Sequence, residues 1–480
     1  MAFDDLHDFI EYLEKKGQLR RVKALVSSDL EITEITDRVS KAGGPALLFE
    51  DVAGYDMPVA INLFGSLDRM AAALGVTSLD EISDRVGNLL KADLPASLMG
   101  KMGKLLEVSE LARFRPKVVR NGECQEVVEE ANPSVGNLPI LKCWPLDGGP
   151  FITLPLVVTR DPITGRRNLG MYRMQVFDDR TLGMHWHMHK DAAEHYAHSE
   201  GKGKRLEVAV ALGADPATIY SATAPLPSEI DEFLFAGWLR RKPVELVKCR
   251  TVDLEVPAHA DIILEGYVDP TERRLEGPFG DHTGFYSLAD YYPVFHLQCV
   301  TRRKKPIYPA TIVGRPPMED AYLGKATERL FLPLIKMILP EVVDVNMPAE
   351  GVFHNLVVVS MNKRYPGQAR KVMNGLWGMG QLMFAKTIVV VDGDVDVQDL
   401  AEVVWRATNN VDPKRDFMFV EGPLDALDHS SPLPGFGSKV GIDATRKWAS
   451  EGHNREWPPD IEMSNEIRRI VDERWSEYGL

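Results

Sequence analysis

Glu276-Gly-Pro-Phe-Gly-Asp281-His-Thr-Gly-Phe-Tyr286 sets two carboxylates on either side of a Gly-Pro-Phe-Gly connection. Pro fixes one backbone angle and Gly permits unusual ones, so the stretch reads as a stiff turn, not a helix or strand interior. Such a turn can hold two acids at a defined separation, as general acid–base chemistry requires. Taken alone, it reads more simply as a surface turn with solvated acids, because loops are exposed.

Histidine is concentrated in a second stretch. Five of the 12 fall between His185 and His198, three of them in His185-Trp-His-Met-His189. On a strand His185, His187 and His189 share one face, which resembles a zinc triad. Neighbours on one strand point in parallel and do not converge. One His as a ligand, with the others packing or hydrogen-bonding, fits better.

The third stretch is Asn168-Leu-Gly-Met-Tyr-Arg173-Met-Gln175. Asn168 and Arg173 stand five apart, so a regular strand sends them to opposite faces. Both reach one site only with a twist at Gly170. An Arg in a β segment is costly unless paired. A carboxylate, from Glu276 or a substrate, is the natural partner for its fork of donors. An edge-strand Arg in solvent is the plain alternative.

Other motifs fail. Asp392-Gly-Asp-Val-Asp396 starts like a calcium loop, but Val397 and Val403 occupy the positions that need Gly and Glu. It reads as a strand-to-helix turn. Gly435-Phe-Gly-Ser-Lys439 is too short for a P-loop, although its N–H groups and Lys439 could meet a phosphate. Neither a Gly-x-Gly-x-x-Gly after a strand nor a Gly-x-Ser-x-Gly elbow occurs.

The elements that must position these residues fall into three regions: an α/β region at 1–116, a β-rich region at 117–313 and a second α/β region at 314–480. Phe3, Leu6, Phe9, Ile10 and Leu13 recur at helical spacing, and Ile32, Ile35 and Val39 mark a second helix. In the middle, β-like runs at Ile152–Thr159, Asn168–Phe177, Leu206–Gly213, Val244–Cys249, Ile262–Val268 and Val294–Thr301 imply an antiparallel sheet or barrel. One helix near Ser228–Arg240 interrupts them. In the last region a long helix over Glu319–Ile338 precedes strands at Asn355–Met361 and Lys386–Asp392. These alternate with helices near Gln368–Met379 and Val397–Ala407, so parallel pairing is expected. Ile467, Ile470, Val471 and Trp475 share one face of a terminal helix. Such a face packs on its own chain or docks on a partner subunit.

The 480 residues are 44% hydrophobic and 26% charged, an ordinary globular balance. The net charge of -14 argues against a nucleic-acid surface. No apolar run is long enough to span a membrane, and the acidic start lacks the features of a signal peptide. Cys124, Cys143, Cys249 and Cys299 form no Cys-x-x-Cys pair, which fits reduced thiols in a cytoplasmic protein.

Together the motifs resemble the UbiD family of reversible aromatic and acrylic acid decarboxylases. The resemblance spans nearly the whole chain. It is carried by Asn168-Leu-Gly-Met-Tyr-Arg173, Asp253-Leu-Glu-Val-Pro257, Glu276-Gly-Pro-Phe-Gly-Asp281-His-Thr-Gly, Gly314-Arg-Pro-Pro317 and Gly441-Ile-Asp-Ala-Thr445. It implies a central split β-barrel that binds prenylated FMN, with Mn²⁺ (or Mg²⁺) bridging the phosphate and K⁺ as a further cation. By the same resemblance Asn168, His189 and Glu232 match metal ligands, an O/N set suited to hard divalent ions. Met171, Tyr172, Arg173, His185, Trp186, His187, Lys190 and Asp191 match positions lining the cofactor, and Lys439 resembles a phosphate-side lysine. Arg173, Glu276 and Asp281 match the catalytic network. In that network Arg173 would hold the substrate carboxylate, Glu276 would pair with it, and Asp281 would protonate the carbon after CO₂ leaves. The last role requires a pKa raised by burial or by Glu276.

Within the family the chain resembles the quinone-pathway branch. Its nearest likeness is to menaquinone-forming members acting on a dihydroxynaphthoate, with polyprenyl-hydroxybenzoate decarboxylases of ubiquinone synthesis as the alternative. Phe285, Tyr286 and Phe436 could line the ring site or belong to the core. The resemblance further implies a small aromatic carboxylate as substrate, a flavin prenyltransferase as cofactor supplier, and a homo-oligomer (a dimer or larger). An ordinary FMN oxidoreductase and a zinc hydrolase built on the His cluster are the readings from other classes.

Overall fold

The computed structural model describes residues 2–91, 113–186 and 191–479. It is a mixed α/β structure. The first helix, Leu6–Lys15, buries Leu6, Phe9, Ile10 and Leu13 and is capped by the Asp5 carboxylate. Strands Leu19–Val22, Ala46–Phe49 and Val59–Ile61 form a small sheet, completed by Tyr308–Pro309 from much later in the chain.

The middle of the molecule is a seven-stranded antiparallel sheet. Its path runs Thr181–Gly183, Asp290–Arg302, Ile262–Glu276, Leu206–Leu212, Leu156–Arg160 and Arg167–Met171, and Val127–Glu129 pairs with Asp290–Arg302. Its alternating apolar residues, among them Val157, Val208, Val210, Leu264 and Phe295, lie in one buried cluster.

Three details differ from the expected elements. The Ile262 strand runs on to Glu276, because a register shift between Val268 and Arg273 absorbs the Asp269-Pro270 pair that reads as a turn. The Asn168–Phe177 run is two strands: Arg167–Met171 ends before Tyr172, and Met174–Gln175 pairs with Phe151–Ile152. The middle region also holds helices Asp191–Gly201 and Pro216–Ser221 besides Glu232–Arg240. The first lacks an apolar stripe, since its buried face is Ala192, His195, Tyr196 and Ser199.

The last region follows the expected pattern. Helix Glu319–Ile338 leads into a five-stranded sheet whose inner strands Leu356–Met361, Thr387–Asp392 and Phe436–Asp443 are parallel. Leu323, Ala326 and Leu330 of that helix belong to the same buried cluster as Leu6 and Phe9, so first and last regions share a core. Helix Asn465–Glu473 buries no residue against its own chain.

Candidate active site

Glu276 and Asp281 are not solvated loop acids: they are 1% and 6% exposed. Glu276 ends the long strand Ile262–Glu276, held opposite Asp290. The connection that follows folds back on itself. Asp281 N donates to Phe285 O at 3.1 Å, and Ser287 N donates to Phe279 O at 2.8 Å. Its position is fixed from outside by Gln175, whose Oε1 accepts from Gly277 N at 2.7 Å, and by Asp147, whose Oδ1 accepts from Gly280 N at 2.8 Å. A Cβ at Gly280 would lie 2.2 Å from Trp144 Cδ1, so only glycine lets the turn pass that ring.

Arg173 stands in the break between Arg167–Met171 and Met174–Gln175. This break, rather than a twist at Gly170, frees its side chain from the strand alternation. Gly170 instead makes room for the Tyr172 ring, which folds back over it, 2.3 Å from where a Cβ would sit. The Arg173 guanidinium reaches three partners: Glu276 Oε1 at 3.2 Å, Asp281 Oδ2, and Ser287 Oγ at 3.1 Å. It lies over the Phe279 ring, 4.6 Å from the centroid. Glu276 Oε1 also accepts from His185 Nδ1 at 2.7 Å. A carboxylate there can only accept, so Nδ1 carries the proton. Burial and the nearby Arg173 charge lower the His185 pKa, which keeps that ring neutral. Glu276 Oε2 accepts no hydrogen bond among the described residues.

The Asp281 carboxyl departs from expectation. Burial alone would raise its pKa. The hydrogen bond from His282 and the Arg173 charge outweigh burial and hold it well below the usual carboxylate range. Asp281 is therefore ionised at rest, not the standing acid that a raised pKa would have made it. Next to it, burial opposes charge on His282, but Asp281, Asp320 and Asp425 raise its pKa.

A second group collects around Asn168. Its neighbour Arg167 pairs with Asp231 at 2.6 Å, and Asp231 caps helix Glu232–Arg240. That pair ties the strand end to the helix start, and Glu232 Oε2 accepts from Leu169 N at 3.0 Å. Asn168 Nδ2 meets Tyr172 Oη at 3.5 Å. Asn168 and Asp191 border one small cleft with Arg166 and Arg167. Burial pushes the Glu232 carboxyl up to about 8, with the Asp231 and Asp191 charges acting in the same direction. Trp186 is buried against Tyr196, and its Nε1 finds no acceptor among the described residues. Met171 is half-buried on the same strand end. His187, His189 and Lys190 lie outside the described residues, so the third expected metal ligand does too.

Lys439 is not brought to either group. It is buried in strand Phe436–Asp443, where its Nζ donates to Met383 O beside the Trp377 ring. Phe285, Tyr286 and Phe436 are not core: each is at least 39% exposed. Sequence reasoning missed Ser287, Asp147, Gln175 and the His282–His354 contact at 3.0 Å. His282 adjoins Asp281 in its motif, which was a usable signal. His354 carried none.

One largely covered arginine is thus shared by two carboxylates at the edge of the β-rich middle region, apart from the polar cluster around Asn168 and Glu232. The chain belongs to the UbiD family of carboxy-lyases. The family's profiles match in three parts: the 3-octaprenyl-4-hydroxybenzoate carboxy-lyase N-terminal domain at residues 10–86, the Rift-related domain at 117–316 and the C-terminal domain at 321–444. An uncharacterised protein of Archaeoglobus fulgidus is 54% identical over 479 residues, covering 99% of both chains. Among solved structures, vanillic acid decarboxylase of Sedimentibacter hydroxybenzoicus in its closed form superposes with a TM-score of 0.85 at 30% identity over 99% of both chains. An evolved dimeric form of the UbiD-class enzyme HmfF from Pelotomaculum thermopropionicum, in complex with prFMN, gives 0.80 at 29% identity over 95% of this chain and 97% of its own.

Proposed function

We propose that the protein carries out reversible, non-oxidative decarboxylation of an aromatic carboxylic acid with prenylated FMN. The observation that supports this most is Arg173, part-buried between Glu276 and Asp281 and hydrogen-bonded to Ser287. Hydride transfer has no use for such a network. Loss of CO₂ from an aromatic ring leaves an electron pair that no side chain can accept, and the modified flavin would supply the sink.

The chain's own residues do the rest. Arg173 grips the substrate carboxylate and orients the ring. Glu276, fixed by His185, holds Arg173 in place. Asp281 delivers a proton to the carbon that CO₂ leaves. Trp186 Nε1, which has no acceptor among the described residues, and Glu232, a buried acid whose carboxyl pKa burial raises, fit a bound cofactor and metal. Asn168, Glu232 and His189 would hold Mn²⁺ (or Mg²⁺), with K⁺ as a further cation. Met171, Tyr172, His185, His187, Lys190 and Asp191 would line the flavin. Lys439, whose Nζ donates to Met383 O, would be a phosphate-side lysine.

The same reading covers substrate, assembly and division of the chain. The motifs favour a quinone-pathway acid such as a dihydroxynaphthoate. The activity for which the family is named makes a polyprenylated 4-hydroxybenzoate the second candidate. Exposed Phe285 and Tyr286, just beyond Asp281, could cover either ring. The domains run 1–116, 117–313 and 314–480. The protein assembles as a cytoplasmic homo-oligomer, and a flavin prenyltransferase supplies its cofactor. The test is CO₂ release from naphthoates and hydroxybenzoates by protein co-expressed with that enzyme. Release from neither class refutes the reading.

A further inference from the structure

Asp281 is held as an acceptor on every side. Its Oδ1 receives His282 N at 2.7 Å and meets His282 Nδ1 at 2.8 Å, while Oδ2 meets Arg173. A carboxylate so placed has no proton to give, yet net decarboxylation consumes one proton for every CO₂ released. The proton must be kept within reach.

We propose that His282 is the proton store that loads Asp281, and that His354 holds His282 in line for the transfer; both are positioning residues acting through Asp281, and the inference rests on the decarboxylase reading above. Two imidazole nitrogens 3.0 Å apart share one proton, so one ring donates and the other accepts. A charged His282 donates at Nδ1 to Asp281 and at Nε2 to a neutral His354. The surrounding charges agree. Asp281, Asp320 on helix Glu319–Ile338 and Asp425 favour the cation on His282, and Arg173 faces it across Asp281. Burial and the His282 charge disfavour a second cation on His354, against Asp425 and Asp428. His282 retains 18% side-chain exposure, enough to meet water.

The segment that presents His354 is built for this contact. Val352 and Phe353 have φ of 46° and 47°, a region that branched or bulky residues rarely adopt. Such strain persists only where surroundings impose it, and it concentrates at functional sites. The surroundings are visible: Gly324 leaves a gap where a Cβ would lie 2.8 Å from Phe353 Cβ, and the Phe353 ring stacks on His282 at 5.4 Å. The last region thus clamps the imidazole next to the acid from both its face and its Nε2.

The proton balance closes. When a substrate carboxylate takes up Arg173, Asp281 loses a charge that kept it ionised, and the proton moves from His282 Nδ1 to Asp281. Loss of CO₂ leaves the C–C bonding pair behind, for which the flavin would be the sink until the proton arrives. The Asp281 O–H bond breaks, the carbon gains that hydrogen, and His282 regains a proton from water. No oxidation or reduction occurs.

The test has two parts. Nitrogen-15 NMR of histidine-labelled full-length protein at pH 7 should show His282 protonated at both nitrogens and His354 neutral. Asp281→Asn should lower the His282 midpoint by about one pH unit or more, as loss of an adjacent opposite charge does. A neutral His282 in the wild type overturns the proposal. In cofactor-loaded enzyme, His282→Gln should slow net CO₂ release at least about tenfold and flatten its pH profile. Exchange of the substrate carboxylate with ¹³C-bicarbonate, which needs no proton from Asp281, should stay within about twofold. Parallel loss of both, or loss of neither, overturns the proton store. A wild-type enzyme that releases no CO₂ from any aromatic acid instead overturns the decarboxylase reading and, with it, the role given to His282.

Discussion

Gly280→Ala tests whether the geometry of the acid-bearing turn sets the rate. The added methyl would lie 2.2 Å from Trp144 Cδ1 and 2.8 Å from Cγ. Carbon atoms pack best at about 3.5 Å or more, so turn and ring must separate by roughly 1.3 Å. The ring cannot absorb this alone. Trp144 Nε1 donates to Val313 O at 2.9 Å, and its backbone N–H to Asp147 Oδ2 at 2.8 Å. Asp147 also holds Gly280 N. The displacement passes to the adjacent Asp281. A shift of about 1 Å in a reacting group costs roughly a hundredfold in rate, whereas overpacking destabilises by about 1–3 kcal/mol. The assay is kcat for CO₂ release beside the unfolding midpoint. A variant that unfolds slightly early but turns over about a hundredfold more slowly supports the geometry. A variant that keeps its turnover while Trp144 is crowded refutes it.

Asp281→Asn should be less stable than the wild type at pH 7. The Asp281 pKa is depressed on folding, so its stabilisation is present above the ordinary carboxylate value of about 3.9 and lost as pH falls through the depressed one. The difference in unfolding midpoint should therefore shrink in acid; a constant difference would show that Asp281 is not held ionised. Glu232→Gln should lower bound manganese by at least about tenfold in elemental analysis of purified protein, and equal metal content would remove Glu232 from the ligand set. Removing residues 464–480 should reduce the oligomer in sedimentation velocity, because Ile467, Ile470 and Trp475 are exposed in helix Asn465–Glu473 and the turn after it. An unchanged sedimentation coefficient would place the subunit interface elsewhere.

Elements with a clean apolar period were legible in the sequence. Leu6–Lys15 and Glu319–Ile338 formed where the spacing of their buried residues put them. Strand ends were not legible, because the deciding contacts are not local. Asp269-Pro270 signals a turn, yet pairing with Asp290–Arg302 carries the strand past it. Helix Asp191–Gly201 was hidden because tertiary contacts, not hydrophobicity, bury His195 on Thr159. The Arg173–Glu276–Asp281 network was legible as a set of motifs, but its charge state was not. Burial and a neighbouring acid were expected to raise Asp281. His282, one residue on, and Arg173 lower it instead. His354 lies 72 residues from its partner and reaches it only through the folding of the last region.

The central claim is that Arg173, Glu276 and Asp281 carry out decarboxylation of an aromatic acid. The most direct measurement is headspace CO₂ from protein co-expressed with a flavin prenyltransferase, given naphthoic and hydroxybenzoic acids, beside Arg173→Ala prepared in the same way. The wild type should release CO₂ and the decarboxylated arene in equal amounts, and the variant should lose both with its flavin spectrum retained. Release by Arg173→Ala at the wild-type rate, or no release by the wild type, would contradict the claim.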